Sequence, residues 1–128
     1  MSKNKFIFFI LICLLSGLQC KKKINKETLV IGGHWNATRI KIGDSVPKID
    51  YSKMHLVFSP DFRYSFTNNL NKVEAGTFTV IDSLLILMDT TRLPLEEKAM
   101  QILKLDKNHL DLKINLSEKE AVMSFRKQ

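Results

Sequence analysis

His109-Leu110-Asp111-Leu112-Lys113-Ile114, then Asn115-Leu116-Ser117-Glu118-Lys119-Glu120, then Ala121-Val122-Met123-Ser124-Phe125-Arg126: this run of the chain decides the fold. Leu110, Leu112 and Ile114 alternate with Asp111, Lys113 and Asn115. Successive side chains of a strand point to opposite faces, so an apolar period of two marks a strand with one buried face. Ala121, Met123 and Phe125 repeat the pattern against Val122, Ser124 and Arg126. The polar break at 115–119 is short, and a short connection makes its two strands antiparallel.

The same reading extends outward. Phe62, Tyr64 and Phe66 fall on one face and Arg63, Ser65 and Thr67 on the other. Breaks recur at Ser59-Pro60-Asp61, at Asn68-Asn69-Leu70-Asn71, at Asp82-Ser83 and at Asp106-Lys107-Asn108. Proline presets a turn, Asp bonds its own backbone, and Asn tolerates a left-handed conformation. Eight strands are predicted, over 33–42, 54–58, 62–67, 73–81, 84–88, 97–105, 109–114 and 119–126. Apart from a turn allowed at 95–101, nothing past the N-terminal segment has a helical period. A meander of eight strands, each with one apolar face, buries those faces and removes its edges by rolling up. The expected fold is all-β, an eight-stranded antiparallel up-and-down barrel. Two connections, 43–53 and 89–96, are longer than the rest, and long loops on a rigid scaffold are where function concentrates.

The N-terminus reads differently. Residues 6–15 are apolar without a break, Lys3 and Lys5 precede them, and Ser16-Gly17-Leu18-Gln19-Cys20 follows. A basic start, a short apolar core and a polar exit make a secretory signal helix. The run is short of the roughly 20 residues a membrane span needs. Leu18-Gln19-Cys20 resembles the lipobox of bacterial lipoproteins, with Gln19 where a small residue is usual. That resemblance implies cleavage before Cys20 and lipidation of its sulfur. The domains expected are a signal peptide over 1–19, a lysine-rich tether over 20–27 and a barrel over 28–128. Removal of the signal leaves 18 basic against 13 acidic residues, a net +5. Much of that excess lies in Lys21, Lys22, Lys23 and Lys26, beside the anchor. It reads as a solvated tether, or as an electrostatic assist at an anionic leaflet. The remaining basic residues are scattered, which argues against a nucleic-acid partner. With Cys13 removed and Cys20 lipidated, neither a disulfide nor a thiolate metal site is expected.

Gly33-His34-Trp35 opens the first strand. Residues 56–89 carry Phe58, Asp61, Phe62, Phe66, Glu74-Ala75-Gly76-Thr77-Phe78, Ile81 and Leu84, and Ile102-Leu103-Lys104-Leu105 precedes Leu110-Asp111-Leu112. In this order and spacing the chain resembles the short lipocalin-like lipoproteins of Bacteroidetes over residues 28–126. The resemblance implies that Arg126 stacks on Trp35 and closes the barrel floor. The heat-shock and META-domain lipoproteins have a similar small barrel, but their Gly-Cys-Asn motif is missing here. The residue after Cys20 is Lys21 and no acidic export signal follows, which implies the periplasmic face of the outer membrane.

Met54, Leu56, Phe58, Phe62, Tyr64, Phe66, Phe78, Val80, Leu112, Met123 and Phe125 are expected to point inward. The candidate barrel lining is Phe58, Phe62, Tyr64, Phe66, Phe78, Met123 and Phe125, with Tyr64 the one polar group on the inner face. Arg39 and Arg63 are expected to point out. His34, His55 and His109 match no metal spacing, and there is no nucleophile elbow or glycine-rich phosphate loop. Glu96-Glu97 reads as a solvated pair. No enzyme activity and no cofactor are therefore expected. Asp44-Ser45-Val46, Asp82-Ser83-Leu84 and Asp89-Thr90-Thr91 resemble the three-residue O-glycosylation site of Bacteroidetes. Two functions stay open. One is a barrel holding a small apolar ligand, such as a lipid fragment. The other is a filled barrel presenting its loops to a protein partner. An apolar cavity of roughly 300 Å3 or more favours the first, and a filled core the second.

Overall fold

A computed structural model describes residues 26–128. The expected signal peptide over 1–19, the expected lipidation site Cys20 and the expected tether as far as residue 25 lie outside the described residues. A short helix, α1 (Lys26–Ile31), leads into eight strands: β1 (Gly33–Ile42), β2 (His55–Phe58), β3 (Arg63–Thr67), β4 (Val73–Ile81), β5 (Leu84–Asp89), β6 (Glu96–Leu105), β7 (His109–Asn115) and β8 (Glu120–Lys127). A 3₁₀ turn at Tyr51–Lys53 interrupts the β1–β2 connection, and Asp50 caps it by accepting from the Ser52 N–H at 3.0 Å. Among the described residues no helix is long and apolar enough to cross a membrane.

Each strand pairs antiparallel with the next, and β1 pairs with β8 to close the barrel. At the seam Trp35 faces Lys127 and Ile42 faces Ala121. Bulges between Ala37 and Arg39 and between Ile102 and Lys104 shift the register. An extra residue bends its strand and increases its twist, which helps a sheet this small to curl shut. Gly76 is required where β4 meets β5, since a Cβ there would lie 1.8 Å from the Met88 carbonyl oxygen.

The two ends of the barrel differ. The connections 43–54, 68–72, 90–95 and 116–119 gather at one end. The other end carries the tighter turns and α1, which packs against β4 and β6 and shuts it. Inside, Trp35, Leu56, Phe58, Phe78, Leu85, Leu110, Leu112 and Phe125 are buried together with Met54, Tyr64 and Val80. Phe58 and Phe78 meet edge to face with centroids 4.8 Å apart, the arrangement the ring quadrupole favours.

Three sequence expectations need correction. Residues 95–101 hold no helical turn; all but Leu95 belong to β6, because Lys98, Met100 and Ile102 take the inner face at a period of two. While the first strand begins at Gly33 as expected, helix α1 forms at Lys26–Ile31, where no helical period was expected past the N-terminal segment. Its six residues bury Ile31 alone, too little for a visible period. Phe62 is no part of a strand. It sits at φ 62°, in the left-handed region, and the residue is 37% exposed. The turn that reverses the chain uses the position that the alternation assigned to the core.

Candidate functional site at the open end of the barrel

The inner faces of β3, β4, β5 and β6 bring four polar side chains together near the open end. Tyr64 on β3 donates its hydroxyl to Glu74 Oε2 on β4 at 2.7 Å. Lys98 on β6 reaches Glu74 Oε1 at 2.5 Å. The Glu74 side chain is 17% exposed and that of Lys98 37%. Burial, then the bond to Glu74, holds the Tyr64 phenol well above its usual range, so it is a neutral donor at physiological pH.

Asp89 ends the inner row of β5 and is fully buried. Its Oδ1 accepts from the Thr91 N–H at 2.8 Å and from the Thr91 hydroxyl. Its Oδ2 has no hydrogen-bond partner, and Arg92 Nε stands 3.6 Å away. The Thr91 hydroxyl bond is the main cause that lowers the Asp89 carboxyl below its usual value, with burial opposing it. Arg92 in turn reaches Glu96 at 3.5 Å.

Below these groups lies a cavity of about 110 Å3. Leu56, Phe66, Leu87, Met100, Met123 and Phe125 line most of it, and Glu74 and Lys98 stand at its rim. At the ~30 Å3 that a water takes in the liquid, it holds the volume of a few water molecules. Of the candidate lining residues, the structure puts Phe66, Met123 and Phe125 on the cavity wall and buries Phe58, Tyr64 and Phe78 in the core. The sequence reading missed Glu74, Lys98 and Asp89. Glu74 sits opposite Phe66 in the β3–β4 register and shares its face with Gly76, Phe78 and Val80; that alternation was the available signal. Among the described residues no three His, Cys, Asp or Glu side chains are grouped so as to hold a metal ion. Ser45, Ser83 and Thr90, the hydroxyls of the three glycosylation-like tripeptides, are all exposed.

The closed end corrects the floor pairing. Arg126 is exposed and does not stack on Trp35, because it follows the inward Phe125 in an alternating strand. Lys127 takes that place, with Nζ 5.2 Å from the indole centroid. The same ammonium donates to the Val30 carbonyl of α1 at 3.3 Å, where the helix terminus carries partial negative charge. The Trp35 indole N–H donates to the Ile31 carbonyl at 2.7 Å. One aromatic residue thereby fixes the plugging helix to the floor.

A closed eight-stranded meander, floored by a tryptophan that follows Gly-x, is a lipocalin-like barrel. Comparison with solved structures gives the same architecture. A lipocalin-like protein from Bacteroides uniformis is similar with a TM-score of 0.55 at 12% identity, covering 77% of this chain and 99% of that one. An uncharacterized protein from Bacteroides eggerthii is similar with a TM-score of 0.53 at 13% identity, covering 76% of this chain and 98% of that one. No protein-family model matches the chain. No curated protein matches it in sequence.

Proposed function

We propose that the chain is a lipid-anchored envelope protein, held through Cys20 at the periplasmic face of the outer membrane, whose barrel binds a small ligand at its open end. The binding is carried by the Glu74–Lys98 pair on the inner wall beside an apolar cavity, and the anchoring rests on the resemblance of Leu18-Gln19-Cys20 to a lipobox. Taking two charges out of water is costly, and apolar residues of similar volume would fill the same space at least as stably. A few convergent polar groups over an apolar pocket are what orient a ligand. The cavity falls well below the roughly 300 Å3 expected for a drug-sized ligand. It suits a short apolar end, with a polar group outside at the Glu74–Lys98 rim. An amphiphile such as a fatty-acid fragment has that form.

Native mass spectrometry of the chain from residue 20 onward, with Cys20→Ser, tests the reading. Excess mass that disappears on denaturation, or saturable uptake of added fatty acid, supports it. A bare chain mass with no uptake refutes it. A second reading is favoured by the loops. Val46, Leu70, Leu93 and Leu116, one from each open-end connection, are large and exposed, Leu93 to 93%. A filled barrel presenting that rim to a protein partner would then be the function, and retention of a partner that Leu93→Asn abolishes would support it.

A further inference from the structure

We infer that the closed end of the barrel docks on the lipid surface to which Cys20 attaches the chain, leaving the open end directed away from that surface. The docking rests on the lipoprotein reading proposed above. Its seat is an apolar groove of about 470 Å3 between α1 and the β2–β3 turn, lined by Leu29, Gly32, Val57, Pro60 and Phe62 among others. Leu29 is 68% exposed and Phe62 37%. Both are large apolar side chains left at the surface although the neighbouring core is closed.

Two further observations choose a lipid as the occupant. The first is reach. Residues 21–25 separate Cys20 from Lys26, so the start of α1 lies within ~20 Å of the anchor even in a fully extended chain. The groove is on the same helix. The second is charge. Beside the lining residues in sequence, Lys26 is offset by Glu27 and Arg63 pairs with Asp61 at 3.7 Å, so the basic excess on this side comes from Lys21, Lys22 and Lys23, which follow the anchoring cysteine. A basic tether leading to an apolar seat complements anionic headgroups over acyl chains. Phe62 adds a third sign, since a bulky residue held at φ 62° is strained, and such strain concentrates at functional positions. That backbone turns the ring outward to the groove, with its centroid 6.0 Å from that of Phe78.

The test makes the tether chemically, so it does not depend on what cells attach to Cys20. The described residues close their own barrel, and a chain from residue 20 onward keeps Cys20 as its only cysteine. This chain is coupled through Cys20 to a maleimide lipid in vesicles of phosphatidylcholine and phosphatidylglycerol, or capped with a soluble maleimide. Amide hydrogen exchange is compared between the two. Docking predicts exchange about tenfold slower at residues 28–34 and 59–62 on vesicles, with 90–95 unchanged. Leu29→Ser with Phe62→Ser changes two exposed positions and should abolish that protection while the buried Trp35 keeps its emission spectrum. Equal exchange in both states, or protection of 90–95 instead, overturns the inference. The mass of the mature chain from cells decides separately whether Cys20 is lipidated.

Discussion

The Glu74–Lys98 pair offers a way to separate a structural from a binding role. Consider Lys98→Met, Glu74→Gln and the double variant. Removing Lys98 leaves the Glu74 carboxylate, 17% exposed, with the Tyr64 hydroxyl as its remaining bonded partner. Breaking a fully buried pair costs about 3–5 kcal/mol. Lys98 is 37% exposed and screened by water, so the expected cost of Lys98→Met is nearer 1–2 kcal/mol. In the double variant the glutamine amide introduced at position 74 would still accept from Tyr64, and no buried charge is left alone. The methionine introduced at position 98 would extend the apolar wall beside Met100 and Met123. The stability of that protein should return to within about 0.5 kcal/mol of the parent. Urea unfolding followed by the emission of Trp35, the one tryptophan, measures all four corners of the cycle. At 4–8 °C per kcal/mol for a domain of this size, Lys98→Met should melt roughly 4–16 °C lower. Binding of a fluorescent fatty acid is measured on the same four proteins. The double variant should be stable yet lose affinity at least about tenfold, or 1.4 kcal/mol. A double variant that binds as well as the parent refutes the role given to the pair. One that is as unstable as Lys98→Met shows that the pair serves the fold.

Other outcomes follow from the same geometry. Lys127→Ala should destabilise by about 1–2 kcal/mol through loss of the indole contact and the bond to α1, whereas Arg126→Ala should stay within about 0.5 kcal/mol in the same unfolding assay. Gly76→Ala should cost about 3 kcal/mol or more, or prevent folding, since its Cβ meets a β5 backbone oxygen; circular dichroism of the purified variant would show it. Asp50, Asp89 and Asp106 are each held below the ordinary carboxylate value of 3.8 by local hydrogen bonds. Their contribution to stability is therefore present above pH 3.8 and lost as pH falls below it, and Asp89→Asn should flatten that acid slope. Tyr64, held above 10, works in the opposite sense: its contribution is complete below pH 10 and fades above it, so Tyr64→Phe should remove part of the alkaline loss seen in a pH series of melts.

Much of the barrel could be read from alternation. The predicted limits 33–42 and 73–81 coincide with β1 and β4, and the other six strands agree within a residue at each end. The period of two is strong there because one face of each strand is buried. It failed at Phe62, where the period runs on into a turn that the backbone reverses at positive φ. At Arg126 the alternation held, with the side chain outward, and the resemblance failed. The resemblance called for a cation over Trp35, and the alternation of β8 supplies it one residue later, from Lys127. Helix α1 was not legible, since a single turn that buries only Ile31 leaves no repeat and is held by Trp35 and Lys127 from elsewhere in the chain. The candidate site was half legible. Hydrophobicity marks Phe66, Met123 and Phe125, but a Glu and a Lys read as solvent-facing until register sets Glu74 and Lys98 on adjoining inner rows. Asp89 looked like part of a loop tripeptide, and nothing local announces that its carboxylate is buried.

The seam between β1 and β8 has a consequence for the order in which the molecule can be made. Trp35 and Lys127, nearly the whole described chain apart, lie side by side. Neighbouring hairpins can form as soon as their own residues are available, but the seam closes a very long loop and comes late. However the chain is delivered, whether from a ribosome or across a membrane, the sheet has two bare edges until the last eight residues or so arrive. During that interval β1 and β7 each present unpaired backbone to any other extended strand nearby. A chain stalled before Glu120 is therefore a sticky intermediate rather than a smaller barrel, and holding it apart from its siblings becomes a task for whatever accompanies it to its destination.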